Sequence, residues 1–189
     1  MWDTSGVDAP GRSPLIRHLP NALTTLRLAA VPVFAVLMLS AHGAESPAAA
    51  AVFAFAALTD FLDGELSRRL SVQSRYGRIL DPIADRLLID VAVILLYLDD
   101  RLPLAIPVLI LGRDAVLLAS LAFPWARDHG VRINPIGKAG TLVMMIGLLL
   151  AMVTPRGNAA TEIVLWSGVI LLLAAGVLYA RAVLRARHG

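Results

Sequence analysis

The sequence has 189 residues, of which 58% are hydrophobic and 16% are charged, and its net charge is +3 at pH 7. Soluble domains carry about 25% charged residues, so this composition argues against an ordinary water-soluble domain and indicates a membrane protein. The absence of cysteine excludes disulfides, a thiolate nucleophile and a thiolate metal site.

Apolar stretches recur along the chain, and several are long enough to cross a hydrocarbon core of about 30 Å. Short segments rich in turn residues or charges separate them, so consecutive helices are expected to alternate in direction. The sequence therefore predicts an all-α fold, a polytopic bundle of six transmembrane helices that forms one membrane domain over residues 21–189. The predicted spans are Ala22–His42, Pro47–Leu70, Gly77–Leu98, Pro103–Trp125, Pro135–Thr154 and Thr161–Leu184.

Lysine and arginine residues indicate the orientation of this bundle. Most of the 17 basic residues lie near the amino terminus, in the second and fourth loops and near the carboxy terminus. The opposite loops contain only Arg101 and Arg156. Both termini and the second loop are therefore predicted to be cytoplasmic, in a multi-pass protein of the cell membrane. Because the positive charge follows this topology, we expect no nucleic-acid partner.

Residues 1–20 are predicted to form an N-terminal tail, in which SPLIRHLP is either a short interfacial helix or a disordered lead into the membrane. The first span begins at Pro20, and Asn21, Thr24 and Arg27 follow at helical spacing. Two interpretations stay open for these polar residues. They are either a helix cap and an arginine that extends to the membrane interface, or the lining of a site.

Carboxylates are concentrated at the end of the second span and the start of the third. Asp60 and Asp63 are three residues apart, and Asp81 and Asp85 are four apart, so each pair shares one face of its helix. Four carboxylates that converge from two helices suit a hard cation such as Mg²⁺, Mn²⁺ or Ca²⁺, and substrate phosphates commonly complete the coordination of Mg²⁺. The spacing therefore predicts a divalent-metal site.

Two further residues lie on the same stripe as Asp60 and Asp63. Gly64 costs up to about 1 kcal/mol relative to alanine in a helix interior, and close contact of a flat base or a diphosphate with the bare backbone would explain its presence. Arg68 can bind phosphate oxygens through two parallel hydrogen bonds. Together these residues favour a nucleotide-diphosphate substrate.

The stretch from Asp60 to Asp85 resembles a known signature. Its pattern, D-x2-D-G-x2-S-R-x8-G-x3-D-x3-D, is similar to that of the CDP-alcohol phosphatidyltransferase family. One position departs from the family pattern, because the family usually has alanine where this chain has Ser67. The resemblance extends over the chain in layout, whereas the specific motif covers only this stretch.

The resemblance implies an enzyme of phospholipid biosynthesis that transfers the phosphatidyl group of CDP-diacylglycerol to an alcohol and releases CMP. It also implies a homodimer, and it implies two Mg²⁺ or Mn²⁺ ions at the four aspartates, with Asp85 also taking the proton of the acceptor hydroxyl. The run PNALTTLR matches a family segment that lines the nucleotide-lipid site. The residues implied to contact CDP-diacylglycerol are Asn21, Thr24, Asp60, Gly64, Ser67, Arg68 and Gly77.

Charged residues also lie inside the third and fourth spans. Arg113 and Asp114 are near the middle of the fourth span, where charges are expensive and normally face the bundle interior. One interpretation is a structural pairing with Asp90 or Arg86, and the other is a cavity that binds an anionic acceptor. Asp90, roughly opposite Asp81 around its helix, is expected to form a structural ion pair.

We expect the acceptor to be bound by Arg113 and by Lys138 at the start of the fifth span. The runs GRDAVLLASLAF and INPIGKAGT resemble the branch of the family that makes glycerol-based anionic lipids. This implies phosphatidylglycerol as acceptor, giving cardiolipin as in the actinobacterial cardiolipin synthases, or glycerol 3-phosphate, giving phosphatidylglycerophosphate. One alternative is another alcohol acceptor such as inositol phosphate. A second alternative is a cation transporter, although a transporter would not need Gly64 and Arg68 at fixed distances from the aspartates.

Overall fold

The computed structural model describes residues 14–70, 77–121 and 135–186, with side chains for residues 25–59, 86–116, 135–179 and Arg181. Within this part of the chain it contains six α-helices and no strand, which confirms the all-α prediction. The helices are α1 (Pro14–Ser40), α2 (Pro47–Leu70), α3 (Gly77–Leu98), α4 (Ala105–Leu121), α5 (Pro135–Val153) and α6 (Ala159–Ala186).

The helix boundaries agree closely with the predicted spans. Helices α2 and α3 have the predicted bounds, since apolar sequence meets turn residues or charges at both ends. Helix α4 begins at Ala105, because Pro103 and Leu104 form the turn that precedes it. The predicted end of the fourth span at Trp125 lies outside the described residues.

The start of the first helix differs from the prediction. Helix α1 runs without a break from Pro14 past Pro20, so residues 14–20 are helical and continuous with the first span instead of forming a separate element. Pro14 occupies the first helical position, where its missing N–H costs nothing. Pro20 lacks the N–H of one helical hydrogen bond, but the helix continues beyond it.

Arg101 joins three connections at one end of the bundle. From the α3–α4 connection, its guanidinium donates hydrogen bonds to the carbonyl oxygens of Ala151 and Thr154 at the end of α5, each at 3.0 Å. It also donates to the carbonyl oxygen of Gly43, between α1 and α2, at 3.0 Å. The three odd-numbered connections therefore meet at this end, and the end of α2 and the start of α3 lie at the other.

Further hydrogen bonds cap the helix ends at the same end of the bundle. The N–H of Ser46 donates to the carbonyl oxygen of Met152 at 2.8 Å, and the Ser46 hydroxyl caps the start of α2 by accepting the N–H of Ala49 at 3.3 Å. Asn158 caps α6 in the same way, because its side-chain oxygen accepts the N–H of Thr161 at 3.1 Å. Each of these bonds satisfies one backbone group at a helix end within the protein.

The core is apolar and forms between the helices. Helix α1 packs on α2 and α3, α3 also packs on α4 and α5, and α6 covers α4 and α5. Phe34 of α1 and Phe53 of α2 are fully buried, with ring centroids 5.7 Å apart. Leu96 of α3 and Leu148 of α5 are also fully buried. The layers of the bundle thus share one continuous core.

Helices α5 and α6 approach each other closely through glycine. A Cβ atom on Gly168 would lie 2.9 Å from the backbone nitrogen and Cα of Met144, and one on Gly140 would lie 3.0 Å from the backbone nitrogen of Leu172. Small residues at such contacts are typical of membrane helix pairs, where van der Waals packing of backbones drives association.

The outer surface of the bundle is rich in apolar side chains. Among the described helices, two are long and apolar enough to cross a membrane, over Pro135–Val153 and Ala159–Tyr179, and α1 and α2 contain shorter apolar segments. Large apolar side chains such as Val36, Phe55 and Ile170 are exposed. A surface of this kind fits contact with lipid better than contact with water.

Candidate functional site

The two halves of the aspartate motif lie on consecutive helices at one end of the bundle. Asp60 and Asp63 belong to the second half of α2, and Asp81 and Asp85 to the first turns of α3. Both segments are helical, so the spacing within each pair places its two residues on one face. Only residues 71–76 connect the helices, which keeps the halves at the end opposite Arg101. The four side chains lie outside the described part of the chain.

The remaining residues implied for the nucleotide lipid belong to the same end. Gly64, Ser67 and Arg68 follow Asp63 on α2, and Gly77 is the first residue of α3. Asn21 and Thr24 lie in the first half of α1, which packs on both α2 and α3. These predicted residues thus belong to α1 and to the two helices that pack on it, and their side chains lie outside the described part of the chain.

Arg27 lies one turn after Thr24 on α1, and it is buried. Only 2% of its surface is exposed, so the interpretation of Arg27 as an anchor that extends to the membrane interface is wrong. A buried arginine needs partners inside the protein because of its desolvation cost, and Arg27 does take part in such an interaction. The polar stripe of α1 therefore leads into the bundle at this position.

A charged cluster lies between α3 and α4, at about the depth of Asp85 in the bundle. Asp114 is 4% exposed. Its Oδ1 atom accepts hydrogen bonds from Nη1 of Arg113 at 2.7 Å and from Nη1 of Arg86 at 3.2 Å. The side chains of these arginines are partly exposed, 18% for Arg113 and 26% for Arg86. One buried carboxylate thus holds two arginines that reach the surface.

The structural ion pair expected for Asp90 is not formed. Asp90 is close enough to Asp114, Arg86 and Arg113 to interact with each electrostatically, but its buried Oδ1 accepts no hydrogen bond. Arg113 instead pairs with its neighbour Asp114, and the third helix contributes Arg86 to the cluster. The sequence offered Asp90 and Arg86 as partners from the third span, and Arg86 is the one that forms an ion pair here, with Asp114.

Lys138 lies in the first turn of α5 and is exposed. Because α5 ends at the Arg101 connections, its start lies at the same end of the bundle as the aspartate motif. Counting about 1.5 Å per residue, Arg113 lies roughly 12 Å below the described end of α4 at Leu121. The described contacts of Arg113 are with Asp114, so the structure does not bring Arg113 and Lys138 together directly.

Comparison with known proteins decides the family. The sequence model of the CDP-alcohol phosphatidyltransferase family matches residues 17–174, most of the chain. The chain belongs to the CDP-alcohol phosphatidyltransferase family. It is therefore a transferase, and the resemblance drawn from Asp60 to Asp85 is confirmed at the level of the family.

Relatives of known name lie in the glycerol-lipid branch. A CDP-diacylglycerol–glycerol-3-phosphate 3-phosphatidyltransferase of Pseudomonas fluorescens is 36% identical over 168 residues, 85% of this chain and 84% of the relative. A Mycobacterium bovis protein named "Putative cardiolipin synthase" is 34% identical over 157 residues, 81% of this chain and 70% of the relative. A glycerol-3-phosphate enzyme of Rickettsia typhi is 28% identical over 173 residues, 88% of this chain and 97% of the relative.

The family is membrane-integral and uses a divalent metal. The side chains that the structure describes include no group of three or more metal-ligating residues, and the four aspartates of the motif lie outside that part of the chain. Four carboxylates supplied by two helix ends at one end of the bundle fit the oxygen preference of Mg²⁺ and Mn²⁺.

Sequence reasoning missed the role of Asp114. It considered a pairing of Arg113 or Asp114 with the third span, but it did not predict that Arg86 and Arg113 share one carboxylate oxygen. A usable signal was present, because a charge inside a predicted membrane span needs a partner. The sequence could not indicate which of Asp90 and Asp114 would be that partner.

Proposed function

We propose that this transferase moves the phosphatidyl group of CDP-diacylglycerol to a glycerol-type anionic acceptor and releases CMP. The observation that carries the proposal is the complete aspartate motif at the adjoining ends of α2 and α3, in a chain similar to glycerol-3-phosphate enzymes over most of its length. The acceptor is phosphatidylglycerol, giving cardiolipin, or glycerol 3-phosphate, giving phosphatidylglycerophosphate. Relatives named for both products support this choice.

In this proposal Asp60, Asp63, Asp81 and Asp85 hold two Mg²⁺ or Mn²⁺ ions. Such ions, when bound, neutralise the charge of the diphosphate and activate the acceptor hydroxyl. Asp85 also takes the proton of the acceptor hydroxyl while the oxygen of that hydroxyl bonds to the phosphatidyl phosphorus. The bond from that phosphorus to the oxygen of CMP breaks, and CMP leaves with the electron pair. The reaction needs no covalent intermediate.

The nucleotide part of CDP-diacylglycerol is proposed to contact α1, α2 and α3. Arg68 binds diphosphate oxygens, and Gly64 leaves room for the flat base or the diphosphate against the backbone of α2. Ser67 and Gly77 complete this surface, and Asn21 and Thr24 face it from α1. The buried position of Arg27, one turn beyond Thr24, supports an inward polar stripe on α1.

Arg113 and Lys138 are proposed to bind the acceptor phosphate. Arg113 is inside the bundle yet keeps part of its side chain exposed, as expected for a cation that serves a cavity. Lys138 is exposed at the start of α5, near the end that carries the motif. In this arrangement Lys138 meets the acceptor on entry and Arg113 holds it further inside.

The proposal includes a topology. All six helices span the membrane, both termini are cytoplasmic, and the site opens on the cytoplasmic side, where water-soluble CMP can leave. The basic residues of the sequence support this orientation through the positive-inside rule. Assembly as a homodimer is part of the same proposal and comes from the family resemblance alone.

The test is CMP release by the purified protein in detergent with CDP-diacylglycerol and one acceptor at a time. We expect release with glycerol 3-phosphate or phosphatidylglycerol, and the acceptor that supports it identifies the product. Release only with inositol phosphate would reject the glycerol-type acceptor. Absence of release with every alcohol, together with metal-ion flux in vesicles, would replace the transferase by a cation carrier.

A further inference from the structure

The charged cluster between α3 and α4 contains a residue for which the proposed reaction has no role so far. Asp114 is almost completely buried, and burial of a carboxylate is costly unless it is paired and hydrogen-bonded. Both of its hydrogen bonds come from arginine, at 2.7 Å from Arg113 and 3.2 Å from Arg86. The carboxylate thus lies inside while its two partners extend toward the surface.

The two contacts converge on one atom. Because Nη1 of Arg113 and Nη1 of Arg86 bind the same Oδ1, the two guanidinium groups lie side by side. A guanidinium presents five N–H donors, and a contact with one carboxylate oxygen occupies one of them on each arginine. A phosphate offers several acceptor oxygens, and two adjacent guanidinium groups match it with parallel charge-assisted hydrogen bonds.

The cluster is also at the depth of the proposed chemistry. Arg86 follows Asp85 directly on α3, so the two residues lie at nearly the same level of the bundle, with side chains that point about 100° apart around the helix. Arg113 is held beside Arg86 from the neighbouring helix. An acceptor phosphate bound by both arginines would therefore lie at the level of Asp85 along α3.

We propose that Asp114 is a positioning residue that holds Arg86 and Arg113 together as one two-arginine subsite for the acceptor phosphate. This rests on the proposed function and deepens it, because it adds Arg86 to the acceptor site and gives Arg113 its orientation. Asp114 itself touches neither substrate nor metal. Its effect passes through the two arginines.

Substitution at Asp114 tests the proposal, with acceptor KM and thermal stability as readouts. Asp114→Asn keeps the size and one oxygen but removes the charge, and we expect it to raise the acceptor KM about tenfold or more with the KM for CDP-diacylglycerol within about twofold. Competitive inhibition by inorganic phosphate should weaken by a similar factor. The matched control is Asp90→Asn, the same change in a carboxylate that bonds to neither arginine, and it should not raise the acceptor KM.

A combination of variants separates positioning from direct contact. If Asp114 acts through Arg113, adding Asp114→Asn to Arg113→Gln should raise the acceptor KM little further. If the two residues act independently, the two fold-increases in KM should multiply. Arg86→Gln leaves the Asp114 side chain in place and removes one of the two proposed phosphate contacts, so it should raise the acceptor KM and it tests the subsite if Asp114→Asn does not fold. A lower melting temperature with unchanged KM and unchanged phosphate inhibition in Asp114→Asn and Arg86→Gln would overturn the proposal and leave a structural ion pair.

Failure of this inference and failure of the proposed function give different results. If the wild type releases no CMP with any acceptor, the proposed function is wrong. If the wild type turns over and the Asp114 and Arg86 variants keep its acceptor KM, only the two-arginine subsite is wrong. An acceptor KM that rises equally in Asp90→Asn would also overturn it, because the effect would then be one of general charge.

Discussion

Arginine is used in two different ways at two depths of this bundle. Arg101 donates to three backbone carbonyl oxygens, two at the end of α5 and one between α1 and α2. Arg86 and Arg113 donate instead to a side-chain carboxylate, that of Asp114. Both groups leave a buried nitrogen without an acceptor in the described structure, the Nε atoms of Arg101 and Arg113. Arg101 therefore differs from Arg86 and Arg113 in the kind of hydrogen-bond acceptor that it uses, and not in how completely its nitrogens are bonded.

The difference in acceptor indicates a difference in purpose. Helix ends leave carbonyl oxygens without intrahelical partners, so an arginine at a helix end can serve the fold by capping them. In mid-helix the backbone is already bonded, and a charge there must bring its own counter-charge at a cost. Arg101 therefore serves the fold by capping helix ends, whereas Arg86 and Arg113 compensate the charge of a buried carboxylate.

The comparison also explains the two exceptions to the charge distribution. Arg101 and Arg156 are the basic residues of the loops predicted to face away from the cytoplasm, and both donate to the carbonyl oxygen of Gly43, at 3.0 and 2.8 Å. Gly43 has a φ of 77°, a left-handed conformation that glycine adopts easily. Local hydrogen bonding thus accounts for both arginines.

The largest effect should come from the motif end, where we expect activity to be lost without loss of the fold. Asp60→Asn, Asp63→Asn and Asp81→Asn should each lower CMP release by at least about a thousandfold, equivalent to roughly 4 kcal/mol, and a chelator should do the same to the wild type. Asp100→Asn is the matched control at the opposite end, where Asp100 is exposed. Sustained turnover in chelator would contradict the metal site.

Arg101 should show the reverse behaviour, with stability lost and substrate binding kept. Arg101→Ala removes three hydrogen bonds from a charged donor and leaves carbonyls of α5 bare, and we expect a cost of about 2–4 kcal/mol. Thermal unfolding in detergent should show a melting temperature lower by about 5–10 °C, with both KM values unchanged at a temperature where the variant is folded. A raised acceptor KM at normal stability would remove the distinction between the two groups of arginines.

The close contact of α5 with α6 belongs with Arg101 on the structural side. Gly168→Ala would place a Cβ atom 2.9 Å from the backbone of Met144, and we expect a loss of about 1–3 kcal/mol because backbone cannot move aside as a side chain can. Gly176→Ala on the same helix is the control. It meets nothing within 4 Å, so its effect should be neutral or stabilising by up to about 1 kcal/mol.

Much of the fold could be predicted because its signals are local. The bounds of α2 and α3 follow from apolar sequence that meets turn residues or charges at each end, and the motif follows from residue types at fixed spacing. The hydrogen bonds of Arg101 could not be predicted, because they join residues 50 or more positions apart in sequence. Likewise, helical periodicity gives the face of its own helix on which Asp90 or Asp114 lies. It does not give the rotation of α3 relative to α4, which decides whether those faces meet.

The candidate site divides in the same way. The helical placement of Asp60, Asp63, Asp81 and Asp85 agrees with the spacing argument, and their roles stay predictions. The contact between Arg113 and Asp114, by contrast, became visible only with coordinates. Of the two third-span partners that the sequence offered, Asp90 and Arg86, the structure uses Arg86, and the shared carboxylate of Asp114 turns a single candidate cation into a pair.

A smaller effect is expected at the acceptor cations. Arg113→Gln and Lys138→Gln should each raise the acceptor KM by about tenfold, equivalent to ~1.4 kcal/mol, with little change in the KM for CDP-diacylglycerol. Steady-state kinetics with each substrate varied in turn gives both values. If Arg113 serves only the fold, Arg113→Gln will instead lower the melting temperature with the acceptor KM unchanged. Arg113 would then be a structural residue like Arg101, although its hydrogen bond goes to a carboxylate and not to a backbone carbonyl.

The smallest effect on stability is expected for substitution of Arg156, which is the closest structural counterpart of Arg101. Both arginines donate to the same carbonyl oxygen of Gly43, but Arg156 is exposed and Arg101 is partly buried with two further carbonyl contacts. Exposed substitutions of this kind usually change stability by no more than about 0.5 kcal/mol, so Arg156→Ala should leave the melting temperature within about 2 °C of the wild type. If Arg156→Ala proved as damaging as Arg101→Ala, the shared bond to Gly43 would be what holds this end together, and the carbonyls of α5 would contribute little. The double variant decides between these cases: independent contributions should add, whereas a single essential bond to Gly43 should make the second substitution almost without effect.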